Sequence, residues 1–168
     1  MLQPVKRVIL YIFLFQLVGI PIGIGQNLQP FYEQIAFGYY RNEILAKKPV
    51  NKKIRIYTQL ETERGNPFGY PDPECIEKFG LTLNDSLLHY PSLHTQLALT
   101  DLNDQRFKIR KRPDGKYPAV FVGRAYTTDD RSVIVTISQI HRSYGDIYYI
   151  ILDPQGNIIG WCETGYVV

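Results

Sequence analysis

Histidine is scarce in this sequence, with three in 168 residues. His89 and His94 stand five apart and flank Pro91, and His141 lies far along the chain. A zinc centre needs three or four convergent ligands, and helical histidine pairs sit four apart. Asp85, Asp101 and Asp104 could complete a site only through folding, so no metal site and no cofactor is expected. Cysteine is scarcer still: Cys75 and Cys162 are the pair present, and neither has a recognisable catalytic context. No serine occupies a Gly-x-Ser-x-Gly elbow. The acids Asp129, Asp130, Glu61 and Glu63 fall where turns and loops place acids anyway. Paired-carboxylate hydrolysis stays open, because the separation of two carboxylates is set in three dimensions. Internal repeats and low-complexity segments are lacking too.

A large charge excess is also lacking. The formal charge of +3 rests on 19 basic and 16 acidic residues. Two of the cations, Lys6 and Arg7, precede the apolar run Val8–Ile20, which is followed by Gly19, Pro21, Gly23 and Gly25 around its end. A basic start, an apolar middle and small residues at the cut are the layout of a secretory signal peptide. Cleavage is expected between Gly25 and Gln26, leaving residues 26–168 as one domain, periplasmic or extracellular. An uncleaved membrane anchor is the alternative; the apolar stretch of about 17 residues is at the short end for spanning. Losing Lys6 and Arg7 brings the chain close to neutrality, which removes most of the case for a nucleic-acid partner.

Export changes the meaning of the two cysteines. In an oxidising compartment an even number invites pairing. A Cys75–Cys162 bridge would tie the middle of the chain to its last strand; two buried thiols are the other reading.

What is abundant is tyrosine, 13 residues, with 8 phenylalanines. The C-terminal part of the chain reads as antiparallel strands at Ala119–Thr127, Ser132–Arg142, Asp146–Leu152 and Asn157–Val168. Val133, Val135 and Ile137 alternate with Ile134, Thr136 and Ser138, the period of a half-buried strand. Asp153-Pro154-Gln155-Gly156 and Arg112-Pro113-Asp114-Gly115 carry turn chemistry: Asp opens, Pro presets φ, and Gly accepts the left-handed closure. Upstream, Pro30–Lys48 predicts the main helix, with Phe31, Ile35, Gly38, Asn42 and Leu45 near one face and Phe37 and Ile44 pointing away. Pro30 suits a first helical position, and Pro49 stops the helix. Lys52–Leu60 predicts a strand with Ile54 and Ile56 on one side. A loop rich in Gly, Pro and aromatics spans Glu61–Pro73. One or two helical turns follow at Pro73–Phe79, ended by Gly80. In Leu81–Leu102 seven leucines are expected to be partly buried, without a clear period.

This order of elements is α+β: an N-terminal helix packed on a four- to five-stranded antiparallel meander. By element order alone it resembles the curved sheets of cystatin-like and nuclear-transport-factor-like folds, a likeness that implies no function.

Two surface features are candidates for binding. Arg106, Lys108, Arg110 and Arg112 share one face of an expected strand, with Phe107 and Ile109 on the other. They read either as a solvated edge whose cations deter pairing or as a cationic strip for an anionic partner. Tyr126, Tyr144, Tyr148 and Trp161 are the aromatic candidates. They are core packing, or a platform on the sheet face away from the helix.

Val120-Phe-Val-Gly123, Ser132-Val-Ile-Val-Thr136, Tyr148-Tyr-Ile-Ile-Leu152 and Asn157-Ile-Ile-Gly-Trp161 resemble the tails of small exported bacterial proteins of unknown function. The resemblance covers the last third of the chain and implies no activity. The expectation is a non-catalytic binding domain of the cell envelope, inhibitor-like or immunity-like, with another protein or an envelope polymer as partner. Membrane contact is expected only through an uncleaved leader. A small envelope hydrolase acting on glycan or wall material is the alternative. A cleft holding a histidine beside an acid would favour the enzyme, and an exposed aromatic patch the binder.

Overall fold

The structure is a computed structural model that describes residues 29–48, 52–61, 73–81, 88–89, 94–100 and 102–167. The expected leader, nearly all of the Gly- and Pro-rich loop, and Leu83, Leu87 and Leu93 lie outside these residues.

The chain runs from helix α1 (Tyr32–Tyr39), extended by a π turn (Tyr40–Ile44) and a 3-10 turn (Leu45–Lys47), into strand β1 (Ile54–Tyr57). Helix α2 (Pro73–Glu77) and strands β2 (Leu88–His89), β3 (Phe107–Arg110), β4 (Ala119–Val122) and β5 (Tyr126–Thr127) follow. The long strands β6 (Val133–Ile140), β7 (Tyr144–Leu152) and β8 (Ile158–Val167) close the fold. The result is an α+β arrangement, a mixed sheet with a short helix packed on it.

The expected meander is corrected. β6, β7 and β8 pair antiparallel in chain order, but β1 runs parallel to both β3 and β4 and joins the same sheet. The expected strand Ala119–Thr127 breaks into β4 and β5, which both pair with β6, at Ile137–Ile140 and at Val133–Ile134. Gly123 and Ala125 lie in the break. Parallel pairing joins segments far apart in sequence, so no local turn signal announces it.

β6 sits between β7 and the β4/β5 edge, and every residue from Val133 to Gln139 is buried. One face carries the main core, where Tyr32, Ala36, Phe37, Tyr40, Ile44 and Leu45 of the helix meet Ile56, Val122, Val135, Tyr148 and Ile150. The other face carries a smaller cluster of Leu81, Ile134, Ile147, Tyr149 and Ile151 around Cys75 and Cys162.

The helix buries a different stripe from the one expected. Asn42 is exposed and Gly38 half-buried, while Phe37 and Ile44 are core. Tyr32, Ala36, Tyr40 and Ile44 recur every four residues, a stripe that drifts around a regular helix of 3.6 residues per turn. The wider π turn at Tyr40–Ile44 takes up that drift. Glu33 is buried too, and its carboxylate accepts a hydrogen bond from the Ala125 N–H at 3.1 Å, which fixes the helix over the β4–β5 break.

Turn chemistry acts as written. Asp153 Oδ1 accepts the N–H groups of Gln155 and Asn157, and Gly156 closes the hairpin at φ 89°. Gly80 ends the α2 segment at φ 67°. Cys75 and Cys162 form a disulfide, with Cα atoms 5.8 Å apart and a sequence separation of 87, pinning α2 to β8.

Candidate functional site

The helix is shorter than the sheet it covers. Where it ends at Leu45–Lys48, the β6–β7 hairpin continues, and the His141 N–H donates to the Tyr144 carbonyl at 2.8 Å to close the turn. The uncovered end is a cleft of about 540 Å³. Its walls are Leu45 and Lys48 from the helix end, Lys52 and Ile54 at the start of β1, Tyr117 and Pro118 before β4, and Gln139 with His141 to Tyr144 on the hairpin. The Tyr117–Pro118 peptide bond is cis.

Three kinds of group converge there. His141 and Tyr144 stack with centroids 4.3 Å apart and planes 10° from parallel. Tyr144 and Tyr117 are 48 % and 47 % exposed, which is high for rings of this size and leaves two aromatic faces open at the rim. The cations Lys48, Lys52 and Arg142 line the same space, and among the described residues none that lines it is acidic. Lys48 is engaged: its Nζ donates to Tyr148 Oη at 2.8 Å and pairs with Glu163 Oε1 at 2.5 Å. Lys52 and Arg142 have no carboxylate partner among the described residues.

A polar chain runs from the cleft into the core. Buried Tyr40 donates its hydroxyl to Gln139 Oε1 at 2.5 Å, and Gln139 Nε2 meets His141 Nε2 at 3.0 Å. With its oxygen turned to Tyr40, the Gln139 amide presents NH₂ to the imidazole, so Nε2 must accept and the ring is neutral with its proton on Nδ1. Burial lowers the His141 pKa below its ordinary value, against the pull of Asp146. Burial, then Tyr148 and Asp146, holds the Tyr40 phenol well above the usual range, and burial with Asp146 and Glu163 does the same to Tyr148.

The residues singled out from sequence are scattered. Tyr144 alone of them lines the cleft. Tyr148 is fully buried against Tyr40, ring centroids 5.1 Å apart, and Trp161 packs on the same helix-side core. Both therefore lie on the face carrying the helix, not on the face away from it. Tyr126 is half-buried in β5, beside β2.

The basic strand forms the sheet edge, with β3 paired only to β1 among the described residues. Arg106 is turned onto Asp104 at 2.7 Å and onto the Arg41 carbonyl at 3.2 Å. The bond from Arg106 holds the Asp104 carboxyl below the usual range. Arg110 reaches Asp114 at 3.7 Å, and Asp114 also takes Arg55 at 3.2 Å. Lys108 and Arg112 are exposed, and so is Ile109 at 38 %, although Phe107, expected on the same face of the strand, is buried.

A second hollow of about 480 Å³ lies beside the disulfide, between Glu74, Lys78, Trp161 and Glu163. No group of metal-ligating side chains occurs among the described residues, and none of their helices is long and apolar enough to cross a membrane. Lys48, Lys52, Tyr117 and Gln139 escaped the sequence reading because they come from three separate stretches of the chain, one holding both lysines. The one local signal was His141-Arg142-Ser143-Tyr144, a turn carrying a cation, an imidazole and a phenol.

No known protein family, curated protein or solved structure matches this chain. The functional reading therefore rests on its own residues.

Proposed function

We propose that the protein is an exported, non-catalytic binding domain of the cell envelope, periplasmic or extracellular, and that the His141 cleft receives an acidic segment of another protein. The observation carrying this is the lining: cations and two open phenol rings, with no carboxylate among its described residues. Such a surface attracts anions before contact and offers flat, amphipathic area on contact. Export is supported by the basic-apolar-small leader pattern and by the Cys75–Cys162 disulfide, which suits an oxidising compartment. The matching finer fold reading is a helix laid in a curved sheet, as in cystatin-like and nuclear-transport-factor-like folds.

The test is site-directed photocrosslinking from position 144 in the native envelope. One saturable protein partner is expected, lost when Lys52 and Arg142 are both changed to Glu. Capture of the same proteins by the charge-reversed double variant would sink the reading.

A small envelope hydrolase is the second reading. One observation favours it: His141 lines a cleft and responds to the charge of Asp146. Against it, the Gln139 amide occupies Nε2, and Asp146 does not line the cleft. Glycan turnover that survives in His141→Gln would remove it.

A further inference from the structure

The cleft does more than present fixed cations. His141 is in its wall, and a chain of two hydrogen bonds controls what that ring can do. Tyr40 is 0 % exposed and its hydroxyl points at Gln139 Oε1. Gln139 is itself buried, so its amide cannot turn to water for other partners. In this arrangement an imidazolium would place an N–H against the Gln139 NH₂, two donors face to face. The empty cleft therefore favours the neutral ring.

On the reading just given, we infer that the cleft is a carboxylate site for an acidic peptide segment of the partner, and that filling it draws one proton from water onto His141. A carboxylate seated between Lys52, Arg142 and the His141–Tyr144 stack adds negative charge beside the imidazole and favours its charged form. The Gln139 amide then reverses. Its Oε1 accepts from the new Nε2–H, and its NH₂ turns to the Tyr40 oxygen, which accepts in place of donating. Gln139 keeps both of its bonds, but the buried Tyr40 O–H gives up its acceptor, a cost that holds the empty cleft in the neutral state and that the seated carboxylate offsets. Every charged group around the ring has a place in this. Arg142 on its own turn, Lys48 at the helix end and Lys52 before β1 oppose protonation, whereas Asp146 on β7 favours it. Burial holds the Tyr40 phenol well above its ordinary range, so it stays neutral.

The sign follows from linkage. The ring titrates lower in the free protein than in the complex. Affinity is then highest below the free-protein pKa, falls as pH rises, and levels off above the pKa of the complex. A difference of about one pKa unit gives about tenfold.

The probe is acetyl-tetraglutamate amide, with acetyl-tetraglutamine amide as its neutral isostere and oligogalacturonate as a carboxylated sugar. Isothermal titration of the full chain from pH about 5.5, where glutamate is still ionised, to about 8, at fixed salt, gives affinity and proton uptake together. Tetraglutamate is expected to bind about tenfold more tightly at the acid end, with uptake of up to one proton. His141→Gln should bind with a flat pH profile, and Arg142→Glu should lose most affinity at every pH. Arg131→Glu, in the exposed turn at the opposite end of β6 from the hairpin, should change neither slope nor uptake. PH-independent binding by the native protein, or an unchanged slope in His141→Gln, would overturn the proton coupling while leaving the acidic-partner reading intact. Tetraglutamate binding no better than tetraglutamine at any pH would overturn both. Tighter binding of oligogalacturonate than of tetraglutamate would overturn the peptide assignment.

Discussion

The Tyr40 hydroxyl donates to Gln139 Oε1 across 2.5 Å, joining residues 99 apart in sequence, one on the helix and one on β6. Both side chains are buried, and Gln139 passes the contact on to His141 at 3.0 Å. Tyr40→Phe should therefore have two effects. Leaving a buried amide oxygen without its donor should cost about 1–2 kcal/mol of stability. Freeing that oxygen for an imidazolium N–H should raise the His141 pKa. Chemical denaturation reads the first effect and the imidazole C–H chemical shifts read the second. A pKa unchanged by Tyr40→Phe would mean that Gln139 does not govern the ring.

Glu61 should set a pH dependence of stability. Desolvation raises its carboxyl to about 7, while its backbone is held by the Val122 carbonyl and the Arg124 N–H. The folded pKa lies above the unfolded one, so the protonated carboxyl is stable in the fold and the ionised one is penalised. Its contribution is fully present below about pH 4.5 and is lost as pH rises through about 7. Because Glu61 is partly exposed, the loss should be at most about 3 kcal/mol. Glu61→Gln should unfold at a higher denaturant concentration than the native protein at pH about 8 and at nearly the same concentration at pH about 4. Equal differences at both pH values would remove the carboxyl from the explanation.

The Cys75–Cys162 disulfide closes a loop spanning 87 residues of sequence separation. On the chain-entropy account, replacing both cysteines by serine should cost about 4 kcal/mol, with the range of measured cases wide. The loss should appear as a lower urea midpoint. It should also free α2, whose disulfide holds it against β8, to faster amide exchange before β6 and β7 exchange. Simultaneous loss of protection everywhere would show that α2 and the sheet open as one unit.

Gly160 gives β8 a bare patch on which Phe79 lies. A Cβ there would overlap the Phe79 ring. Gly160→Ala should displace the ring and cost about 1–3 kcal/mol. In a Phe79→Ala background the same change should be near neutral or stabilising, because glycine in a strand interior is otherwise unfavourable. Additive losses in the double variant would show that the ring is not what the methyl meets.

Local chemistry carried much of the chain. The alternation in Val133–Ser138, the Asp-Pro-Gln-Gly turn, the helix between Pro30 and Pro49 and the Gly80 stop are short-range patterns. Propensity and steric limits decide them within a few residues, and each has its counterpart in the structure. The Cys75–Cys162 bridge was one of two readings, because a pair of cysteines names its partners but not their distance. The parallel pairing of β1 with β3 and β4 had no local sign, since the Ile54–Phe107 and Arg55–Ala119 pairs span 53 and 64 residues. The helix face was misjudged because apolar residues occur on more than one side of it: Phe31, Ile35 and Tyr39 are half-buried at the border of the core that Tyr32, Ala36 and Phe37 enter. Tyr148 and Trp161 read from sequence as core packing or as a platform away from the helix, and the structure gives core packing on the helix side; alternation labels two faces without saying which one the helix covers.

By itself, then, the sequence determined the elements, their turns and the α+β class, where each decision depends on neighbours along the chain. The tertiary structure alone decided the mixed topology, the buried stripe of the helix and the cleft. Lys48, Lys52, Tyr117, Gln139 and His141 become neighbours only when the helix stops short of the β6–β7 hairpin. That end is left open by the relative lengths of two packed elements, and no local pattern encodes such a difference.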